Sequence, residues 1–429
     1  MNDQSSQQMK YDLADLRKLQ RRLTFSAKKQ DQYDLETINL IAPASPTPTK
    51  YFTDLPLLHN DIAEGLLNNR PYAGAKWFNE IEKITAQLAC LLFHAEHANV
   101  QPHSVSQANQ AVYQGLLQNN DTVLAMKFED GGHLTHGLHL NFSGRFFDFQ
   151  FYGTDSSGHI DYDALEKQAL HTKPKMIVCG ASSYPRSIDF ERLRQICDQV
   201  GAYLLADLSH PAGLIVADCF PQPFPACDVV TLTLDKTMFG PHGGIILCKK
   251  EFQTRIDKAV HPGVQSSIPL RRIYEMSQCL LDAGKPEFHQ RIERLINNMT
   301  AFEDVFAQFP GLMVTGGTDT HILVLNTLSV FGLTGKQAET TLENLGILTN
   351  RQVVPGETQK PYIASGLRLG ATWITGRGYS AKEATVIAKM IIANLQEPNN
   401  KKLQQKTRIQ VKKILTKKRK LDLWKNIQG

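Results

Sequence analysis

Thr231-Leu232-Thr233-Leu234-Asp235-Lys236-Thr237-Met238-Phe239-Gly240-Pro241-His242-Gly243-Gly244 runs from a β-branched, apolar stretch into a single lysine, then into a Gly-Pro turn and a Gly-Gly pair. The pattern predicts a buried strand that ends at a tight loop. Upstream, the apolar run Ala202-Tyr203-Leu204-Leu205 leads into Ala206-Asp207-Leu208-Ser209-His210, a second strand end that carries an acid.

Outward from this pair, apolar runs alternate with helical stretches between Trp77 and about Val260. The runs are Asp121 to Met126, Met176 to Val178, Tyr203 to Ala206, Val229 to Thr233 and Gly244 to Leu247. Such alternation predicts an α/β fold, a mostly parallel sheet flanked by helices. Ligands of such sheets gather at the carboxyl ends of the strands, where Asp207 and Lys236 both fall. A long helix is expected over 285–307, followed by a smaller α/β segment with strands at 320–326 and 366–369. Residues 1–50 read as an N-terminal arm with a helix from Leu13 to Leu23, ended by the stretch Pro43 to Pro48. The expected division is 1–50 arm, 51–285 large cofactor-binding domain, 286–400 small C-terminal domain and 401–429 basic helix or tail.

The 429 residues suffice for one large core and a smaller domain. No apolar run reaches membrane-spanning length, and the polar start has no signal-peptide core, so a cytoplasmic protein is expected. The seven cysteines are scattered without metal-ligand spacing; reduced thiols and no metal are expected. The net charge of +5 belongs to the tail. Residues 401–429 hold eleven Lys/Arg against one acid, Asp422, leaving 36 basic and 41 acidic residues, a net of −5, in the body. Leu403, Ile409, Ile414 and Leu415, with Leu421 and Trp424, mark an amphipathic helix whose basic face is read as solvated; nucleic acid is not an expected partner.

A lysine and an acid at successive strand ends form the arrangement that pyridoxal phosphate needs. The amine forms a Schiff base, and the acid keeps the pyridine nitrogen protonated so that the ring accepts electrons. Singly, each residue has a plainer reading, as a solvated loop lysine and a helix cap.

Collinear segments extend the pattern. Asn99-Val100-Gln101-Pro102-His103-Ser104, Gly131 to Gly137, Gly158 to Tyr162, Lys173 to Ile177, Asp207 to Leu214, Lys236-Thr237, Gly316 to Asp319 and Ser365 to Gly370 occur in order. In these segments the chain resembles the serine hydroxymethyltransferase family, as a divergent member. The resemblance implies pyridoxal phosphate fold type I, with a seven-stranded sheet and a smaller C-terminal α/β domain. It implies a cytoplasmic homodimer or dimer of dimers that interconverts serine and glycine with tetrahydrofolate as co-substrate.

The resemblance also implies roles. Lys236 matches the Schiff-base lysine, Asp207 the acid on the pyridine nitrogen and His133 the histidine stacked on the ring. Ser182, His210 and Thr233 match further cofactor contacts. Ser104, Ser106 and Gln107 lie where the family cradles the phosphate at a helix N-terminus. Arg368 matches the arginine that forks onto the substrate carboxylate. Glu64 matches a proton-transferring glutamate, and Tyr72, Leu134 and Gln352 match substrate- and folate-side positions. Glu64, Tyr72 and Gly263 would come from the partner subunit.

Departures from the family cluster near these positions. Pro43 replaces a carboxylate-binding serine, Ile62 and Pro71 replace tyrosines, and Val105 replaces a glycine of the phosphate loop. Asp235 replaces a histidine, His242 the arginine of Gly-Pro-Arg-Gly-Gly, and Gly263-Val264-Gln265-Ser266-Ser267 a glycine-rich segment. A folate-independent aldolase or transaldolase acting on β-hydroxy amino acids, and a catalytically impaired paralogue, therefore stand beside the hydroxymethyltransferase at this point.

Overall fold

A computed structural model describes residues 13–46, 48 and 63–421. Among the described residues, twelve strands form three sheets. β1 (Ile38–Asn39) belongs to a two-stranded sheet. β2 (His97–Asn99), β3 (Thr122–Met126), β4 (Asp148–Tyr152), β5 (Met176–Cys179), β6 (Tyr203–Asp207), β7 (Val229–Leu232) and β8 (Ile245–Cys248) build a seven-stranded sheet in the order β2-β8-β7-β6-β5-β3-β4. The neighbours from β4 to β7 run parallel, while β8 is antiparallel to both β7 and β2.

Every residue of β5, β7 and β8 is buried, as expected of strands covered on both faces. Successive residues feed opposite cores. Leu124, Ile177, Leu204, Val230 and Leu247 face one side with Leu193 and Ile196 of the helix Phe190–Val200. Val123, Val178, Leu205, Val229 and Ile246 face the other with Val112 and Tyr113 of the helix Val105–Leu116. The expected strands and the expected helix, here Pro286–Phe306, thus form close to their predicted positions.

β9 (Ile322–Leu325), β11 (Asn350–Gln352) and β12 (Gly366–Gly370) make an antiparallel sheet in the order β11-β12-β9. β10 (Ile347–Leu348) pairs in parallel with β1, so a strand near the N-terminus is completed by residues more than 300 positions later. The first helix runs Leu13–Glu36, well past the expected end at Leu23. The long helix Pro286–Phe306 packs on the helix Ala381–Gln396. Among the described residues, no helix is long and apolar enough to cross a membrane.

The basic C-terminal segment is a helix, Lys401–Leu421, packed on the preceding helix. Val411, Ile414 and Leu415 join the main core, but Ile409, expected on the apolar face, is 59% exposed. Ile414 and Leu415 thus face inward as expected, Val411 joins them, and Ile409 falls outside the buried stripe. Lys418 is drawn inward, donating to the Gly378 carbonyl at 2.8 Å and pairing with Glu383 at 2.7 Å, so this base is not a solvated one. Asp422, Trp424 and Lys425 lie outside the described residues, as do Ile62 and part of the Pro43–Pro48 stretch.

This packing predicts a contrast along one helix. Val411→Lys would set a charge into the core and should destabilise the protein by on the order of 3 kcal/mol, whereas Ile409→Lys should shift stability by no more than about 0.5 kcal/mol. Urea unfolding midpoints measure both; equal midpoints would show that the helix contributes nothing to the core.

Candidate active site

The carboxyl ends of β5, β6 and β7 lie side by side. The chain leaves β5 through Gly180 (φ +96°), which lies so close to Asp207 that a Cβ would overlap the Asp207 carbonyl oxygen. Together with the start of the helix Val105–Leu116, these strand ends enclose a cavity of about 160 Å³. Ser104, Ser106, His133 and Ser182 line it, as do Asp207, His210, Thr233 and Lys236. The fold brings together these eight expected residues, drawn from five segments of the chain.

Asp207 is the most heavily bonded residue of the site. Asn109 donates Nδ2–H to Oδ2 at 2.9 Å, and Ser209 donates from its backbone N at 3.2 Å and its hydroxyl at 2.5 Å to Oδ1. His136 Nε2 lies 3.3 Å from Oδ2. Burial acts to raise the carboxyl pKa, but His136 above all, with His133 and the Ser209 donor, outweighs it and holds the group far below the usual carboxylate range. Asn109 is itself fixed, donating to Thr135 Oγ1 at 2.9 Å and accepting from Thr231 Oγ1 at 2.7 Å. Asn109, His136 and Ser209 carried no signal of their own in the sequence, although His136 stands three residues after His133 in a segment already singled out.

Lys236 is buried, and burial lowers its pKa against the opposing pull of Asp207 and Asp235. Burial also pushes His133 down to about 4, so its ring is neutral at pH 7. His210 Nδ1 lies 3.1 Å from Nε2 of His321, with the rings stacked at 5.2 Å. Burial lowers His321 to about 3 and His210 well below its ordinary value. Arg368, in β12, donates Nη1–H to the Ser182 carbonyl at 2.6 Å and Nε–H to Asn350 Oδ1 at 3.1 Å. Its fork is thereby aimed from the small sheet toward the β5 loop beside the cavity.

Other expected residues lie elsewhere. Gln107 does not line the cavity; it accepts from the His103 amide at 2.7 Å and donates to the Val264 carbonyl at 3.1 Å. Ser104 caps the helix, accepting from the Gln107 amide at 3.2 Å. Glu64 does not line the cavity; it accepts a hydrogen bond from Tyr72 at 3.1 Å and faces His261 at 3.8 Å. Leu134 is 45% exposed and Gln352 lies on β11. Gly263, within the segment after the helix Gln253–Lys258, is likewise not a cavity residue. Among the departures, Val105, Asp235 and His242 all line the cavity.

The cavity fits pyridoxal phosphate. A lysine whose ammonium form is disfavoured stands in one enclosure with a permanently ionised acid and a flat, neutral imidazole. The helix start at Ser104 supplies amide donors suited to a phosphate. The donor atoms of His133, His136 and Asp207 also lie within 4.8 Å of one another, but Asn109 and Ser209 already occupy the Asp207 oxygens.

Comparison with known proteins agrees with this chemistry. The sequence profile of the serine hydroxymethyltransferase family matches residues 18–391. The serine hydroxymethyltransferase of Mycoplasma mycoides subsp. mycoides is 43% identical over 349 residues, and that of Mycoplasma capricolum subsp. capricolum 42% over the same length. The Mesoplasma florum serine hydroxymethyltransferase is 42% identical over 348 residues. Each match covers 81% of this chain and 84% of the relative.

The two neutral histidines predict acid sensitivity. His133 and His321 titrate near 4 and 3 when folded, against about 6.5 for an ordinary histidine, so unfolding takes up protons as pH falls. The stability they contribute is complete above about pH 6.5 and is lost toward pH 4, on the order of 3 kcal/mol from His133 alone. Urea unfolding of the cofactor-stripped protein between pH 7.5 and 4.5 should follow this slope, and His133→Asn should flatten it. Identical slopes would refute the assignment.

Proposed function

The chain belongs to the serine hydroxymethyltransferase family, and from that membership we propose that the Lys236 cavity is where it interconverts serine and glycine, with pyridoxal phosphate as cofactor and tetrahydrofolate as one-carbon acceptor. The observation that carries the reading is the buried Lys236 sharing one cavity with the fully bonded Asp207 carboxylate. When bound, pyridoxal phosphate supplies the sink for the electron pair released when the Cα–Cβ bond of serine breaks.

The chain's own residues would do the rest. Burial disfavours the ammonium form of Lys236 and so favours its amine as a nucleophile. Asp207, always ionised, would hold a proton on the cofactor's pyridine nitrogen. His133 would cover the ring with an uncharged face. Arg368 would bind the amino-acid carboxylate and so fix which Cα bond is strained for cleavage. Ser104 and Ser106 would seat the phosphate, with Ser182, His210 and Thr233 completing the cofactor's surroundings.

Glu64 would move the proton of the hydroxymethyl group, acting from a second subunit together with Tyr72 and Gly263. Two observations support a homodimer that shares its sites. Glu64 is tied to Tyr72 and does not line the cavity that holds Lys236 of its own chain. The helix Lys76–Phe93 also exposes Trp77, Ile84 and Leu91, spaced by seven on one stripe, at 66%, 43% and 73%. Leu134 and Gln352 would lie on the folate side. The seven cysteines, none in a disulfide, suit a reducing cytoplasm.

Glycine formation from serine should be stimulated by tetrahydrofolate. Cleavage of a β-hydroxy amino acid such as allo-threonine with no folate effect on serine would instead mark a folate-independent aldolase.

Site sharing has a separate test. Inactive Lys236→Ala and Glu64→Gln proteins, unfolded together and refolded, should recover activity, because the mixed dimer holds one site with both residues intact. Efficient mixed dimers without activity would place both residues in one subunit's site.

A further inference from the structure

Two of the departures face each other at the cavity. His242 Nδ1 lies 2.6 Å from Asp235 Oδ2, and the other carboxylate oxygen, Oδ1, accepts from the Thr233 hydroxyl at 2.7 Å. Both residues line the cavity beside Ser104, Ser106 and Lys236. Thr233 fixes the carboxylate and the carboxylate fixes the imidazole, although the His242 side chain is 64% exposed.

The turn that carries His242 is pressed onto the helix start. The Gly244 amide donates to the Pro102 carbonyl at 2.9 Å, and a Cβ on Gly244 would overlap the backbone of Ser104. His242, two residues before Gly244, is thus carried on a turn that abuts the helix start whose amides would receive a phosphate. With Nδ1 engaged by the carboxylate, Nε2 is the ring nitrogen left for another partner.

Resting on the cofactor reading above, we propose that Asp235 and His242 act as one anion-binding unit, in which Asp235 orients a protonated imidazole and His242 donates from Nε2 to the cofactor's phosphate. The pair stands where the resembling family carries a histidine and an arginine. A guanidinium is charged at every working pH, whereas this unit is not. The groups that bear on the His242 charge are known. The hydrogen bond to Asp235 raises its pKa above the ordinary 6.5; partial burial, Arg272 of the helix Leu270–Ala283 and Lys236 oppose. Arg272 is itself paired with Glu275 at 3.3 Å, and the cavity residues of the facing helix start, Ser104, Val105 and Ser106, carry no charged side chain. The phosphate seat therefore weakens as pH rises through the raised His242 pKa. The unit also offsets Val105, which sets a side chain where the family's glycine lets amides approach the anion.

The test is an equilibrium titration of the cofactor-stripped full-length protein with pyridoxal phosphate and, separately, with pyridoxal, which lacks the phosphate. His242→Asn should weaken pyridoxal phosphate by about ten- to a hundredfold at pH 7, the loss of one charge-assisted hydrogen bond. It should leave pyridoxal unaffected, and the difference should shrink toward pH 9. His242→Arg should restore affinity and remove that pH dependence. Equal dissociation constants for wild type and His242→Asn, or an equal loss for pyridoxal, would overturn the unit while leaving the cofactor site standing. Failure of the wild type to take up either compound would overturn the cofactor reading and the unit together.

Discussion

A carboxylate buried at the end of β6 is the constraint around which the molecule is organised. An unpaired charge in that position would cost several kcal/mol, and removing one partner of a buried charge typically costs about 3–5 kcal/mol. Asp207 avoids this by drawing donors from three places: Asn109 on a helix, His136 in a loop and Ser209 immediately downstream. Asn109 is held in turn by Thr231 of β7. Helix, loop and sheet are thereby locked in register by one charge. The same bonds that make burial tolerable keep the acid ionised, so the requirement of the fold and that of the chemistry coincide.

The neighbouring amine and imidazoles are governed by their own burial. Lys236, His133, His210 and His321 are all pushed toward their neutral forms, each chiefly by desolvation. One enclosure thus holds a permanent anion, an amine whose ammonium form is disfavoured and neutral imidazoles. Groups separated in this way by environment can divide nucleophile, acid and base roles among themselves at a single pH. Arg368 keeps its charge despite burial, though its pKa falls to about 10, and it is oriented by Asn350 and the Ser182 carbonyl before any substrate arrives.

The segment bearing Glu64 shows a second use of buried charge. Arg70 donates to the carbonyls of Ala63 and Gly65 on either side of Glu64 and pairs with buried Glu82, while Gln101 bonds both Glu82 and the Gly65 carbonyl. The loop is held firmly by these bonds, and Glu64 stays outside the lining of its own chain's cavity. The departures from the family at 235 and 242, each disruptive when read alone, form a bonded pair in the fold.

Apolar runs such as Met176–Cys179 and Val229–Leu232 determined the main sheet, because a strand covered on both faces must be apolar at every position. The change from apolar run to Asp207 or Lys236 likewise marked the carboxyl ends that line the cavity, and collinear motifs supplied the family. Features that depend on pairing across distance were not legible. β11 is polar, Asn350-Arg351-Gln352, and is a strand only because β12 supplies its hydrogen bonds. Ile409 looked like a core residue until packing on the neighbouring helix set the rotation of Lys401–Leu421. Asn109, His136 and His321 are ordinary polar residues in sequence; only the tertiary structure sets them against Asp207 and His210. Asp235 and His242 read as separate losses because a linear pattern does not record that the Gly240-Pro241 turn brings them back to 2.6 Å. Side-chain identity and period determine which face of an element is buried; which polar groups then meet is decided by how the elements dock.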